Sequence, residues 1–207
     1  MIELYTWMTD NGYKARHGME ESGLPYELKP VNIREKKQFE PGYLKISPGH
    51  KIPALIDTDG PGGNRVTLCE SGAILKYLGT KADNGLYPSD PLKQVKVDQW
   101  LFYGSATWTT LAQQYGFFWK RNPEDVPKAK EHYDGVLRDM LAMFERHLGE
   151  NEYLAGDSYT VADISVYPDV HLHGDEGIGL GDHPNLKRWH DAIKARPAVQ
   201  KAWTPFG

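Results

Sequence analysis

Hydrophobic and polar positions follow two different rhythms along this chain, and the change between them falls after Gly79. In the first part the apolar runs are short. Ile2 to Tyr5 has strand length, Tyr26 to Val31 alternates with a period of two, and Ala54 to Asp57 and Arg65 to Cys69 flank the turn-forming run Asp59-Gly60-Pro61-Gly62-Gly63-Asn64 as a hairpin. Helical spacing comes between them: Asn11 to Ser22, ended by Gly23 and Pro25, one or two turns over Pro41 to Ile46 after a charged loop from Arg34 to Glu40, and Ser71 to Leu78. The order β-α-β-α-β-β-α predicts one sheet of mixed parallel and antiparallel strands, a thioredoxin-like α/β domain over residues 1–80. Residues 81–90 are polar, carry Asn84-Gly85 and Pro88, and read as a linker. From Pro91 the strand rhythm is gone. Lys93 to Trp119 is dense in aromatics, Pro127 to Leu148 spaces Leu137, Met140, Leu141 and Phe144 as a core face, and Pro184 to Ala195 packs through Leu186, Trp189 and Ile193. Residues 91–207 are therefore expected to form an all-helical domain.

The run Tyr159-Thr160-Val161-Ala162-Asp163-Ile164 adds a helix start inside that domain. Thr160 and Asp163 have capping-box spacing, and Tyr159 can staple onto Ile164. The expected role is structural.

Candidate chemistry is densest over residues 51–74. Lys51-Ile52-Pro53-Ala54-Leu55 enters a strand through a proline, and Glu70-Ser71-Gly72-Ala73-Ile74 opens a helix with a carboxylate and a hydroxyl. A helix start carries partial positive charge and unpaired N–H groups, so Ser71 and the amides behind it suit a ligand carboxylate. Glu70 suits an ammonium group. Ile52 can offer its backbone N–H and C=O to a peptide-like ligand, as an added strand does. The ligand these residues describe is small, peptide-like and zwitterionic at one end. Each half alone also reads as an ordinary helix cap or strand entry; the order and spacing of the two give the signal.

That order resembles the thioredoxin-like domain of the cytosolic glutathione transferases, with its cis-proline loop and Glu-Ser turn. The N-terminal run Leu4-Tyr5-Thr6-Trp7-Met8-Thr9-Asp10-Asn11-Gly12-Tyr13-Lys14 is similar to the bacterial nu class and its fungal relatives, and Gln38-Phe39, Ile46-Ser47-Pro48 and Gln99-Trp100-Leu101-Phe102 extend the resemblance. It implies the glutathione transferase architecture with glutathione as cosubstrate and no metal. Thr9 and Asn11 fall where that group faces the glutathione sulfur with hydroxyl and amide donors. Gln38, His50, Lys51, Ile52, Pro53, Glu70 and Ser71 fall on the glutathione-binding positions, with Lys51 placed to pair the glycine carboxylate. Trp7, Trp108 and Tyr115 are candidates for the second-substrate pocket. The implied activity is glutathione-dependent disulfide reduction, with modest transferase and peroxidase activity. The implied partners are glutathione, a small disulfide or electrophile, and a second copy of the chain as a homodimer. Where the nu-like pattern carries a glutamine and an arginine that help hold glutathione, this chain has Gly104 and His132. The resemblance therefore supports one bound glutathione more directly than two.

Two other readings stay open at this level. Tyr5 can replace Thr9 as the sulfur ligand of a conventional, electrophile-conjugating transferase, although its apolar segment favours packing. A Thr/Asn loop also fits a noncatalytic glutathione-binding regulator. Composition narrows the class only broadly. The chain has 207 residues, 40% of them hydrophobic, and a net charge of −4, which gives no general attraction to nucleic acid or an anionic membrane. No apolar run is long enough to span a bilayer, no signal-peptide pattern appears at the N-terminus, and the single cysteine fits a reducing, cytoplasmic setting. Cys69 precedes Glu70 at a strand end and reads as a small buried hydrophobe. His171, His173, Asp175, Glu176, Asp182 and His183 cluster in sequence but lack helix-borne zinc spacing, so no metal is expected.

Overall fold

The computed structural model describes residues 1–174 and 179–205. The chain divides into two compact units, one formed by Met1–Ser89 with the segment from Ala195 onward, the other by Asp90–Lys194.

In the first unit, β1 (Ile2–Thr6), β2 (Tyr26–Pro30), β3 (Ala54–Asp57) and β4 (Val66–Cys69) form a sheet in the order β2-β1-β3-β4. β1 pairs parallel to β2, with Ile2 opposite Tyr26, and antiparallel to β3, with Tyr5 opposite Ala54; β3 pairs antiparallel to β4, with Ala54 opposite Cys69. Alternation sorts the side chains. Ile2, Leu4 and Leu55 pack on one face with Ala15 and Met19 of α1 (Asp10–Ser22) and Ile74 and Leu78 of α3 (Ser71–Ala82). The other face carries Val31, Ala54 and Tyr5 against Tyr43 of α2 (Pro41–Leu44). α1 ends as expected at Gly23, in the left-handed conformation at φ 67°. The charged loop before α2 is wound into two short 3-10 turns, Ile33–Glu35 and Lys37–Phe39.

The second unit is helical: α4 (Pro91–Phe102), α5 (Thr109–Gly116), α6 (Pro127–Glu150), α7 (Val161–Gly174) and α8 (Pro184–Lys194). The aromatic-rich stretch from Lys93 to Trp119 is helical, widened by π-helical turns at Tyr103–Trp108 and Phe117–Arg121. At the first of these Gly104 lies against α7. A Cβ there would come 2.1 Å from Ser165 Oγ and 3.0 Å from Val166 Cγ2, so position 104 is a packing contact, and an added side chain would require Ser165 and Val166 to shift. Residues 161–170 of α7 are buried on every side. The capping box forms with one change from the usual pattern. Asp163 Oδ2 accepts the Thr160 N–H (3.0 Å), while the Thr160 hydroxyl accepts from Ala162 N (3.3 Å). Asp163 also takes the Leu154 N–H (2.9 Å) and the Trp189 indole N–H (2.8 Å), joining α7, α8 and the preceding loop through one buried carboxylate. The Tyr159 ring packs edge-on against Tyr153.

The sequence assigned everything after residue 91 to the helical domain, but α9 (Pro197–Ala202) packs on α1 within the first unit. Arg196 makes a fork to Glu21, Nε to Oε1 at 2.6 Å and Nη2 to Oε2 at 2.8 Å. Burial alone raises the Glu21 carboxyl, but these bonds and His17 beside it outweigh that and hold its pKa at about 2. A carboxylate depressed in the folded state stabilises the fold above its unfolded pKa of about 4.5, and that contribution is lost as pH falls toward 2. Arg196→Ala is expected to lower stability at pH 7 by about 2 kcal/mol and to flatten the loss between pH 5 and 2.5. Urea titrations at both pH values check it; a parallel pH slope in the variant would contradict the assignment.

Candidate active site

The sheet register collects the site. Tyr5 opposite Ala54 opposite Cys69 places the end of β1, the start of β3 and the end of β4 on one edge. The residues that follow or precede them (Trp7 to Asn11, Ile52 and Pro53, Glu70 and Ser71) therefore leave the sheet side by side. The Ile52–Pro53 peptide is cis, and Ile52 lies just outside β3, so its backbone is not committed to the ladder.

Thr9 is the N-cap of α1. Its hydroxyl accepts the Gly12 N–H at 3.1 Å, in extended backbone (φ −142°, ψ 164°). Ser71, the first residue of α3 and buried, donates its hydroxyl proton to Asn11 Oδ1 at 3.1 Å. The first turns of two helices of 13 and 12 residues thus meet at one hydrogen bond. Both bring partial positive charge and unpaired N–H groups to the same place. With Oδ1 accepting, the Asn11 NH2 group keeps its two donors for other partners, and the Ser71, Gly72 and Ala73 amides have no intrahelical partners. Partial positive charge and N–H donors thus converge at this corner.

Two features of the corner carry no sequence signal. Gly12 lies so close beneath the loop that a Cβ would come within 1.9 Å of the Trp7 carbonyl oxygen and 2.8 Å of Thr6 Oγ1. Glu70 adopts φ 70°, ψ 116°, a conformation glycine takes easily and glutamate does not, and its side chain is exposed beside Ser71.

The other predicted residues are distributed unevenly. Gln38 sits in the Lys37–Phe39 turn with a buried Oε1 that has no partner among the described residues. His50 is exposed at φ 47° and lies against Phe39, the ring centroids 4.8 Å apart. The Lys51 carbonyl accepts from Tyr43 (2.6 Å) and Ser47 (2.8 Å), which fixes the proline loop and leaves the Lys51 side chain exposed. Trp7 is half-buried, and its carbonyl accepts the Thr9 N–H at 2.9 Å. Trp108 and Tyr115 do not form a pocket wall. They are 1% and 3% exposed, and Trp108 packs edge-on against Phe144 and donates to the Val166 carbonyl; aromatic residues at helical spacing filled the core here. His132 is exposed beside Tyr133.

Tyr5 points to the opposite face of the sheet. It packs near Tyr43, donates to Glu3 Oε2 at 2.9 Å, and burial followed by that bond raises its pKa, which disfavours it as a sulfur activator. A cavity of about 460 Å³ lined by Tyr5, Lys29, Val31, Tyr43 and Ile46 lies on that face, away from Thr9 and Ser71. Cys69 is half-buried with Sγ 3.8 Å from the Ile46 carbonyl, a packing position. Among the described residues no three His, Cys, Asp or Glu side chains converge on a metal site, and no helix is long and apolar enough to cross a membrane. His171 and His190 do meet, Nδ1 to Nε2 at 3.0 Å; the His173 side chain, Asp175 and Glu176 lie outside the described residues.

A mixed four-stranded sheet with a cis-proline and an anion-ready helix start, followed by a helical unit, defines the glutathione transferase class. Residues 11–81 match the glutathione S-transferase N-terminal domain and residues 110–203 the C-terminal domain of that family. The chain is 35% identical to the disulfide-bond oxidoreductase YfcG of Escherichia coli K12, over 98% of this chain and 94% of the relative. It belongs to the glutathione S-transferase family. The disulfide-bond oxidoreductase YghU of the same organism is 30% identical over 97% of this chain and 73% of its own. A family member from Pseudomonas fluorescens Pf-5, solved with two glutathione molecules bound, superposes with a TM-score of 0.91 at 34% identity, covering 97% of this chain and 91% of that one. A glutathione transferase from Pseudomonas putida, solved with one glutathione disulfide per subunit, superposes at 0.92 with 30% identity, covering 100% and 92%.

The strain at Glu70 can be tested apart from any ligand. Glu70→Gly is expected to raise stability by about 1 kcal/mol, whereas Glu70→Ala, which removes the same carboxylate without freeing the backbone, is not. Thermal unfolding of the two variants distinguishes them; equal stability would place the gain in the carboxylate instead.

Proposed function

We propose that this protein is a glutathione-dependent disulfide-bond reductase with modest transferase and peroxidase activity. The observation that carries the reading is the Asn11–Ser71 hydrogen bond, which sets two helix starts around one anion position. Relatives named as disulfide-bond oxidoreductases, and neighbours solved with glutathione or its disulfide, support the same reading.

In this reading the γ-glutamyl end of glutathione binds at α3. Its carboxylate takes the Ser71 and Gly72 amides, and its ammonium takes Glu70. The cysteinyl unit pairs with the Ile52 backbone beside Pro53, while Gln38, His50 and Lys51 serve the glycine end. The sulfur then lies at the start of α1, where the Asn11 NH2 group and the Thr9 hydroxyl stabilise the thiolate. Thr9 can accept from Gly12 and still donate its own proton to sulfur. The thiolate attacks one sulfur of a disulfide RSSR. A GS–SR bond forms as the S–S bond breaks, and RS⁻ leaves and takes a proton from water. A second glutathione thiolate then attacks GS–SR, giving GSSG and a second RS⁻. Two thiols are oxidised and one disulfide is reduced, so no cysteine of the protein takes part. Cytoplasmic residence suits this reading, since the second step needs a pool of reduced glutathione.

A homodimer belongs to the same proposal. Leu92, Val95 and Phe102 are 81%, 64% and 64% exposed, and their spacing puts them on one side of α4. A water-facing apolar stripe of this kind is suited to cover by a second copy.

Two predictions follow from these roles. Thr9→Ala and Asn11→Ala are each expected to raise the pKa of bound glutathione by about one unit, the equivalent of 1.4 kcal/mol, and to lower turnover of 2-hydroxyethyl disulfide in parallel. Ultraviolet titration of the thiolate together with the coupled reductase assay reads both. An unshifted pKa in the wild type, or turnover no faster than free glutathione alone, would remove the reductase reading. Phe102→Glu is expected to convert the dimer to a monomer, read by light scattering; an unchanged mass would place the interface elsewhere.

A further inference from the structure

The two faces of the sheet are covered unequally. One packs against α1 and α3, helices of 13 and 12 residues. The other meets α2, a single turn of four residues that includes Gly42. Glycine has no side chain to lower onto the strands, and a Cβ built at position 42 would meet nothing within 4 Å. This thin cover leaves the cavity of about 460 Å³ beside Tyr5. Its volume falls within the range of roughly 300 to 1,000 Å³ that small-molecule sites occupy. None of the residues assigned to glutathione lines it.

The lining combines apolar walls with three charged residues. Tyr5, Pro30, Val31, Tyr43 and Ile46 supply the walls, and the Tyr5 and Tyr43 rings stand side by side, with centroids 6.2 Å apart and planes inclined at 53°. Both hydroxyls are already engaged as donors, Tyr5 to Glu3 and Tyr43 to the Lys51 carbonyl, so little ordering is needed to use the rings. The charged residues are Lys29, Lys37 and Glu40. Lys29 is paired with Glu27, and Lys37 with Glu35 at 3.4 Å. Beside the Tyr5 hydroxyl, Glu3 and Arg65 act in opposite senses. Glu40 immediately precedes α2 without capping it, and it forms no ion pair or side-chain hydrogen bond among the described residues. The uncompensated charge of the lining is therefore a carboxylate. Tyrosine rings add to the same preference, because their faces carry the negative end of the ring quadrupole.

We propose that this cavity is a second ligand site, for a small organic cation: a primary amine carried on a flat apolar body. The body packs against Tyr5, Val31, Tyr43 and Ile46, and the ammonium pairs with Glu40. The apolar walls supply affinity, and the carboxylate supplies the choice of charge. An anion of the same shape meets Glu40 as a like charge, while Glu27 and Glu35 already neutralise the two lysines. Amine binding here requires nothing of the thiol chemistry proposed above, because the cavity lies on the other face of the sheet from α1 and α3.

Isothermal titration with tryptamine and indole-3-propionate, which share a ring system and oppose each other in charge, tests this. The wild type is expected to bind tryptamine about ten-fold more tightly than indole-3-propionate. Glu40→Gln should weaken tryptamine about five-fold without weakening indole-3-propionate. Gly42→Leu, which places a side chain where the lining is open, should weaken tryptamine about ten-fold. Saturating S-methylglutathione should leave tryptamine binding unchanged. Circular dichroism confirms that each variant is folded, and two independent positions keep the test decisive if one fails to fold. A wild type that does not bind tryptamine, or binds it no better than indole-3-propionate, would overturn the proposal. So would an unchanged tryptamine affinity in either folded variant. Displacement of tryptamine by S-methylglutathione would place the amine at the glutathione site and overturn it as well.

Discussion

Much of the first unit is organised around the single hydrogen bond between Asn11 and Ser71. These residues are separated by 60 positions in the chain, yet each opens a helix, and the bond forms only if both helices leave the sheet at the same edge. That edge is set by the register of β1, β3 and β4, and the register is set in turn by the apolar faces of the strands. A one-residue slip would carry Leu4 and Leu55 out of the core and turn Tyr5 into it. Burial therefore fixes the register, the register places the helix starts, and their meeting creates the electropositive corner. A buried hydroxyl and a half-buried amide satisfy each other there while leaving further donors free.

The corner is less relaxed than its surroundings. Glu70 holds a positive φ, Gly12 leaves no room for a side chain under the Trp7 carbonyl, and the proline loop is pinned by two hydroxyls on the Lys51 carbonyl. The second unit concentrates its polar investment differently. Asp163 collects three N–H donors and joins two helices and a loop without approaching any open surface. Strain lies where a ligand would be held, and full satisfaction lies where only packing is needed.

What could be read from the sequence follows the range of the interactions involved. The strands, the hairpin, the Gly23 stop and the Thr160–Asp163 box depend on neighbours a few residues away, so their residue types announce them. The pairing of Glu70 with Ser71 was legible because it is also a local helix-start signal. The docking of α9 on α1 was not. It joins Arg196 to Glu21 across 175 positions and Arg16 to Thr204 across 188, and charged residues on a helix look the same whether they meet water or a distant partner. Trp108 and Tyr115 misled for a related reason, since an aromatic at helical spacing carries no mark of core or pocket. Gly104 departs from the ligand-binding pattern that the sequence resembles, and its close approach to Ser165, a contact across 61 positions, carries no mark in the sequence.

Under the proposed placement of the glutathione sulfur at the corner, the strength of the donors there bears on which reaction suits it. The Asn11 amide, the Thr9 hydroxyl and the helix starts are uncharged or only partially charged. A helix terminus contributes at most about 1 to 2 kcal/mol to a nearby anion, and a hydrogen bond to a charged group about 1.5 to 3. Part of that is offset by the desolvation of the thiolate itself. The net depression of a thiol pKa is then on the order of one or two units from about 8.5, which brings it near neutrality without making the thiolate a poor nucleophile. Thiol–disulfide exchange has its optimum under those conditions, because the attacking thiol works best with a pKa close to ambient pH and loses intrinsic reactivity as the pKa falls further. A lysine or arginine against the sulfur would stabilise the thiolate more and weaken it as a nucleophile. Neutral donors at the meeting of two helices are the better match to a disulfide.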